Sequence, residues 1–279
     1  MKNEIKLQLL GNIAVRSGVE NRHVRSKLVQ GCLALLALEA GKPVRSSTLM
    51  GELWGDNQPR EPKNALHAAV TRSRSFMKQS DWSPEHLKTV PGGYLLDVER
   101  GQVDALAFRS AAEEILRDPD VDIQRCIEVL DMWSGPALMG INDGGRCLSE
   151  ATLLEELRRQ VSERLAIQRI KNRDYAGAAH EIGQLTVERP LNENYRELRM
   201  IALYYLGQSA SALAELNRFS DTMDREMGMA PSQRVRDLYF DILTDAKDRV
   251  DNRLSGYDPA GPKRRTSSTE NRTLRPHPQ

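Results

Sequence analysis

The chain has 279 residues, with 40 Lys+Arg against 39 Asp+Glu and a formal net charge of +1, and it has room for two domains, each with its own core. The charge is unevenly placed: residues 1–100 hold 15 Lys+Arg against 10 Asp+Glu, residues 101–255 hold 20 against 27, and residues 256–279 hold 5 against 2, so an anion-binding module joined to a part with another task is expected. No apolar run is long enough to span a membrane, MKNEIKLQLLGN lacks the apolar stretch and cleavage site of a signal peptide, and Cys32, Cys126 and Cys147 are odd in number and widely spaced, so a cytoplasmic protein with reduced, mostly buried thiols is expected.

Ile5, Leu7 and Leu9 alternate with Lys6 and Gln8, the pattern of a half-buried strand. Gly11-Asn12 turns the chain, and Ile13 and Val15 start a second strand. SKLVQGCLALLALEAG places Leu28, Cys32, Leu35 and Leu36 at helical spacing, with Gly41 as a stop. SSTLMGELWG is a short helix with Ser46 or Ser47 as its cap and Leu49, Leu53 and Trp54 as its apolar stripe. A loop from Asp56 to Pro62 follows.

NALHAAVTRSRSFMK, residues 64–78, reads as one helix. Ala65, Leu66, Ala69, Val70, Phe76 and Met77 share one broad arc, and Asn64, His67, Thr71, Arg74, Ser75 and Lys78 share the other, which carries no carboxylate. A solvated face ordinarily mixes both signs; donors, hydroxyls and cations alone suit phosphate and base edges. On spacing alone, a bland basic face competes with a DNA-reading one. Arg74 is the candidate to grip a base, and Arg72, nearer the edge, to hold phosphate.

HLKTV and YLLDV, separated by Pro91-Gly92-Gly93, read as a hairpin, with Gly92 and Gly93 supplying positive φ at its tip and Tyr94 packing on the core. Strands, three helices and a hairpin form the order of a winged helix-turn-helix with an added N-terminal sheet. In such a fold the third helix enters the major groove and the hairpin lies on the backbone or minor groove. That order turns the reading toward DNA, with Lys88, Thr89, Gly92 and Gly93 as the wing's contact candidates.

From residue 104 the pattern is helical almost throughout, over 104–117, 122–132, 148–171, 174–188, 192–206, 209–226 and 231–249. RDYAGAA from Arg173 and GQSASAL from Gly207 repeat with a tetratricopeptide-like offset, aligning Ala178 with Ala212, while Pro190 and Gly207 punctuate the helices. Leu154, Leu157, Val161 and Leu165 form a stripe, read as a helix-pair core with a dimer seam as the alternative. The expected fold is an α+β winged-helix domain over 1–100, an all-α tetratricopeptide-like domain over 104–250, and a disordered tail over 255–279 holding Lys263-Arg264-Arg265. His23, His67, His86, His180 and His277 are scattered, without a second ligand at helical spacing. No catalytic constellation, metal site or cofactor motif is found, so an enzyme is not expected.

These features together resemble the Streptomyces antibiotic regulatory proteins over roughly residues 5–245. ALHAAVTRSRSFM is similar to their recognition helix and LKTVPGGYLLDV to their wing, where Thr89 and Gly93-Tyr94 match closely. LDMWSGPAL, residues 130–138, is similar to the signature that opens their helical activator domain, and EATLLEELRRQVSERL, residues 150–165, to the long helix after it. Arg45 stands where the family usually has a capping Ser, which predicts a late start to the second helix; Ser73 stands where Leu is frequent; the family's acidic, Pro-rich ending is reduced to EMGMAPSQ, residues 226–233. The absence of a Gly-x-x-x-x-Gly-Lys segment makes the chain similar to small members.

The resemblance implies a transcriptional activator of an antibiotic biosynthesis cluster that binds direct repeats in promoter DNA near the −35 element and recruits RNA polymerase through the primary sigma factor. It also implies pairing of two copies on DNA. The alternatives are a tetratricopeptide-type adaptor whose winged helix binds protein, and a repressor using the same winged helix.

Overall fold

The computed structural model describes residues 7–17, 20–141 and 144–255; Ile5, Lys6, His277 and all but the first residue of the expected tail lie outside them. Leu7–Gln8 (β1), Ala14–Ser17 (β2) and Glu20–His23 (β3) form an antiparallel sheet in the order β1-β2-β3. Leu7, Leu9, Ile13 and Val15 are fully buried, but the strand is not half-buried as expected: Gln8 is buried as well, its amide donating to the Ser134 hydroxyl at 2.7 Å. β3, ENRH, is an edge strand with all four residues exposed, and it lacks the apolar alternation that would have marked it.

Lys27–Leu38 (α1), Ser46–Trp54 (α2) and Pro62–Gln79 (α3) pack on one another and on a second sheet. That sheet joins Val44–Arg45 (β4), Leu87–Val90 (β5) and Gly93–Leu96 (β6) in the order β4-β6-β5. α2 does not start late, and neither serine caps it. Arg45 stands at its N-cap and, having no acceptor, makes no side-chain cap, while the Ser46 N–H at the start of the helix is satisfied by the Gly92 carbonyl at 2.9 Å. α3 begins two residues before the expected Asn64, since Pro62 in the first turn lacks only an N–H the helix does not need. Ser73 is fully buried, and its hydroxyl donates to the Ala69 carbonyl at 2.9 Å.

The remainder is Asp104–Arg117 (α4), Ile123–Leu130 (α5), Gly145–Lys171 (α6), Tyr175–Glu188 (α7), Glu193–Tyr205 (α8), Ser209–Met227 (α9), Gln233–Leu243 (α10) and Lys247–Ser255 (α11). α7 with α8, and α9 with α10, are the repeated helical pairs, and the aligned Ala178 and Ala212 are both fully buried. α6 starts three residues earlier than expected, and the single helix expected over 231–249 is two. The chain turns at Asp245, φ 52°, where the Ala246 N–H reaches back to the Asp241 carbonyl at 2.8 Å. Leu154, Val161 and Leu165 lie in the core with Leu157 packed beside them, so the stripe on α6 is a helix-pair core.

One continuous apolar core runs from Leu7 to Leu165 across the expected boundary near residue 100. The buried Asp104 carboxylate accepts the N–H groups of Leu9 at 2.7 Å and Leu10 at 3.1 Å. The GPAL signature extends the first sheet: Leu10 bridges Ala137, Asn12 bridges Met139, and the Ser134 hydroxyl donates to the Leu10 carbonyl at 2.8 Å. Strand-like pairing therefore recurs beyond residue 104, against the expectation. Trp133 meets Phe108 edge-on at 5.1 Å and lies under the Arg158 guanidinium.

Candidate nucleic-acid interface

α3 buries Leu66, Ala69, Val70, Ser73 and Met77 and exposes Lys63, Asn64, His67, Thr71, Arg72, Ser75, Lys78 and Gln79. It contains no Asp or Glu. Among the described residues, no carboxylate lies within ion-pair distance of Lys63, Arg72 or Lys78. The helix therefore presents uncompensated positive charge with hydroxyl and amide groups between. Asn64 bonds Glu61 just before the helix, and the Thr71 hydroxyl donates to the His67 carbonyl at 2.9 Å. Lys63 and Gln79 were missed in the sequence because the helix is longer at both ends than the apolar period marks.

Arg74 is placed differently from the other predicted readers. It is half-buried, and its guanidinium donates from Nε at 2.9 Å and Nη2 at 2.7 Å to the Leu87 carbonyl, and from Nη2 at 2.9 Å to the Thr89 hydroxyl. Arg74 thus ties α3 to β5, and Thr89 is the far end of that tie. Lys88, exposed on the same strand, pairs with Asp97. The bond and charge of Lys88 hold the exposed Asp97 carboxyl below its usual range, so this cation is partly compensated.

The two tip glycines have separate reasons to be glycine. Gly92 has φ +78° and open space around it. Gly93 does not have positive φ, contrary to the expectation. It is buried in β6, where an added Cβ would lie 2.0 Å from the Val44 carbonyl oxygen of β4. The structure thus brings Asn64, His67, Thr71, Ser75 and Lys78 onto one strip, sets Arg72 at its edge, and leaves Gly92 exposed at the wing tip, while Gly93 lies beneath the surface.

Among the described residues no group of His, Cys, Asp and Glu is arranged to hold a metal ion. Cys32, Cys126 and Cys147 are buried, and burial pushes each thiol up to about 11.

Residues 25–96, which span α1, α2, α3 and the hairpin, match the family described as transcriptional regulatory protein, C terminal. Residues 97–243, more than half of the chain, match the bacterial transcriptional activator domain. The chain belongs to the Streptomyces antibiotic regulatory protein family. It is 30% identical over 247 residues to the transcriptional regulator RedD of Streptomyces coelicolor, covering 86% of this chain and 70% of that one. It is 33% identical over 221 residues to the regulatory protein DnrI of Streptomyces peucetius, covering 75% and 81%. A solved structure of Mycobacterium tuberculosis EmbR superimposes with a TM-score of 0.76 at 21% identity, covering 91% of this chain and 69% of that one, a likeness of fold. Like its family, this member is a transcriptional regulator and not an enzyme. No helix among its described residues is long and apolar enough to cross a membrane.

Proposed function

We propose that this regulator is a sequence-specific activator of a biosynthetic cluster, working in the cytoplasm, that reads promoter direct repeats near the −35 element with α3 and recruits RNA polymerase, including its primary sigma factor, through its helical part. The observation that carries this reading is the exposed, carboxylate-free face of α3, buttressed along one edge by the wing through Arg74. Asn64, His67, Thr71, Ser75 and Lys78 are suited to base edges and the thymine methyl group, and Arg72 to phosphate. Thr89 and Gly92 bring the wing to the backbone, with Lys88 beside them, and Gly93 acts beneath them by letting β6 approach β4.

Direct repeats call for two copies placed head to tail. A single winged helix buries roughly 600–1,000 Å² on DNA, the low end for a specific site, so a second copy on the adjacent repeat would supply the missing affinity. Met227 and Met229 at the turn between α9 and α10, and Phe240 and Leu243 in the last turns of α10, are exposed and offer apolar surface to a protein partner. The test is transcription in a purified system, with polymerase, a promoter fragment from beside the chain's own gene, and the full chain. Transcript should rise when the chain is added and fall back when salt displaces it from DNA. A chain that protects the promoter yet lowers transcript would be a repressor, and one that binds polymerase without salt-sensitive DNA binding would be an adaptor.

A further inference from the structure

A groove of about 670 Å³ runs along the edge of α3 opposite to the one tied to the wing. Arg22 on β3 and Arg25 just before α1 stand on one rim, and Arg72 and Ser75 of α3 on the other. Val24, Val29 and the half-buried Phe76 form an apolar floor. No carboxylate lines it, and among the described residues none lies within ion-pair distance of Arg22, Arg25 or Arg72. Ser26, also in the lining, is the N-cap of α1 but makes no side-chain bond to that helix, so the positive end of α1 is uncapped by its own serine at the groove.

Three unpaired guanidinium groups above an apolar floor match a chain of phosphates carried on sugar rings: charge meets the rim and deoxyribose meets Phe76 and the valines. Arg72 and Ser75 belong to this groove and to the exposed face of α3 alike, so one continuous ligand would meet both. We propose that the groove between β3 and α3 seats the sugar-phosphate backbone of the duplex that α3 reads. A helix lying in the major groove has a backbone along each side; the wing meets one, and β3 with Arg22 and Arg25 clamps the other. This rests on the reading of α3 as a DNA-binding helix. It gives the N-terminal sheet, which a plain three-helix winged module lacks, a task at the DNA.

The test uses the full chain and a fluorescein-labelled random-sequence duplex, with affinity measured by anisotropy across a salt series. Each phosphate contact contributes about 0.9 to the slope of log affinity against log salt. Arg22→Ala/Arg25→Ala should lower that slope by about 1–2 while leaving the melting temperature unchanged, and Arg22→Lys/Arg25→Lys should restore it. An alanine pair with the parent's slope and affinity would overturn the groove as a backbone site while leaving α3 as the reader. A parent chain that fails to bind the duplex even at low salt would instead overturn the DNA reading beneath it. Binding of a phosphoserine peptide by the parent and not by the alanine pair, with duplex binding equal in both, would make the occupant a protein and refute the proposal.

Discussion

On the proposed DNA reading, Arg74 holds the wing while its neighbours on α3 face the duplex. A guanidinium that gives three hydrogen bonds to β5 is committed to the wing, and bonds to a charged group are worth about 1.5–3 kcal/mol together with their geometry. Arg74→Ala should therefore loosen the wing and weaken binding to specific and random duplexes alike, by roughly tenfold in an anisotropy titration. Lys78→Ala or His67→Ala should instead relax preference at one base pair, by about 1–3 kcal/mol, when the protein is presented with duplexes varied one position at a time. If Arg74→Ala alone relaxed a single position, its guanidinium would have to leave the wing on binding. Gly93→Val should displace the hairpin from β4 and lower affinity, with helical content measured by circular dichroism retained; full affinity in that variant would show that the hairpin does not touch DNA. The polar face of α3 was legible in the sequence because it is a local period. The fates of Arg74 and Gly93 were not, because each depends on a strand distant in the chain, β5 for one and β4 for the other.

At the scale of elements, a long apolar period reads well and a boundary set by tertiary contact does not. The start of α2 is decided by the wing carbonyl of Gly92, and the turn between α10 and α11 by Asp245; neither leaves a cap residue or a proline to mark it. β3 was invisible because an edge strand exposed along its length has no hydrophobic face to write into the sequence. An ion cluster locks the first helical pair to the second, with Arg196 and Arg199 on α8 and Arg218 on α9. Glu215 of α9 is fully buried and accepts from Arg196 at 2.5 Å, Arg199 at 3.3 Å and Arg218 at 2.7 Å. Burial pulls its carboxyl upward, but the bonds from Arg218 and Arg196 and the charge of Arg199 outweigh burial and hold it below its usual range. Glu215→Gln takes the carboxylate from Arg196, whose side chain is 12% exposed, while Arg218 at 64% exposure can turn to water, and it should cost about 1.5–3 kcal/mol in denaturant unfolding. A variant as stable as the parent would mean that the three arginines find water or other acceptors.

For the whole molecule, the charge break near residue 100 marks a change of task but not a gap in packing. The family matches meet at residues 96 and 97, yet β1, Asp104, Ser134 and α6 share one core. α6, at 27 residues roughly 40 Å long, begins in that core and ends in the one built with α7 and α8. A truncated chain ending at residue 103 loses the carboxylate that caps Leu9 and Leu10 and the strand-like cover from Ala137. Two domains with separate cores, as expected from the sequence, would let this piece fold alone; the shared core predicts instead that it unfolds at lower denaturant than the full chain and exposes apolar surface, measurable by dye binding.

Asp104 also gives the joint a pH signature. Burial raises its carboxyl to about 6, against the lowering effect of its bonds from Leu9, Leu10 and Ala105. A carboxyl raised on folding adds stability below its unfolded value near 4, and that contribution is lost as pH rises through about 6. The difference in unfolding free energy between the parent and Asp104→Asn should therefore shift against the parent by about 2 kcal/mol between pH 4 and 6, and a pH-independent difference would place the titration elsewhere.

Protection mapping of the full chain on promoters beside its own gene bears most directly on α3 as a DNA reader, with the same mapping repeated for His67→Ala/Thr71→Ala/Lys78→Ala. The expected result is two protected tracts in direct repeat for the parent, both lost in the triple variant at an unchanged melting temperature. Protection that survives in the triple variant would contradict α3 as the reading element, and a parent chain that protects no promoter while binding polymerase would contradict DNA reading altogether.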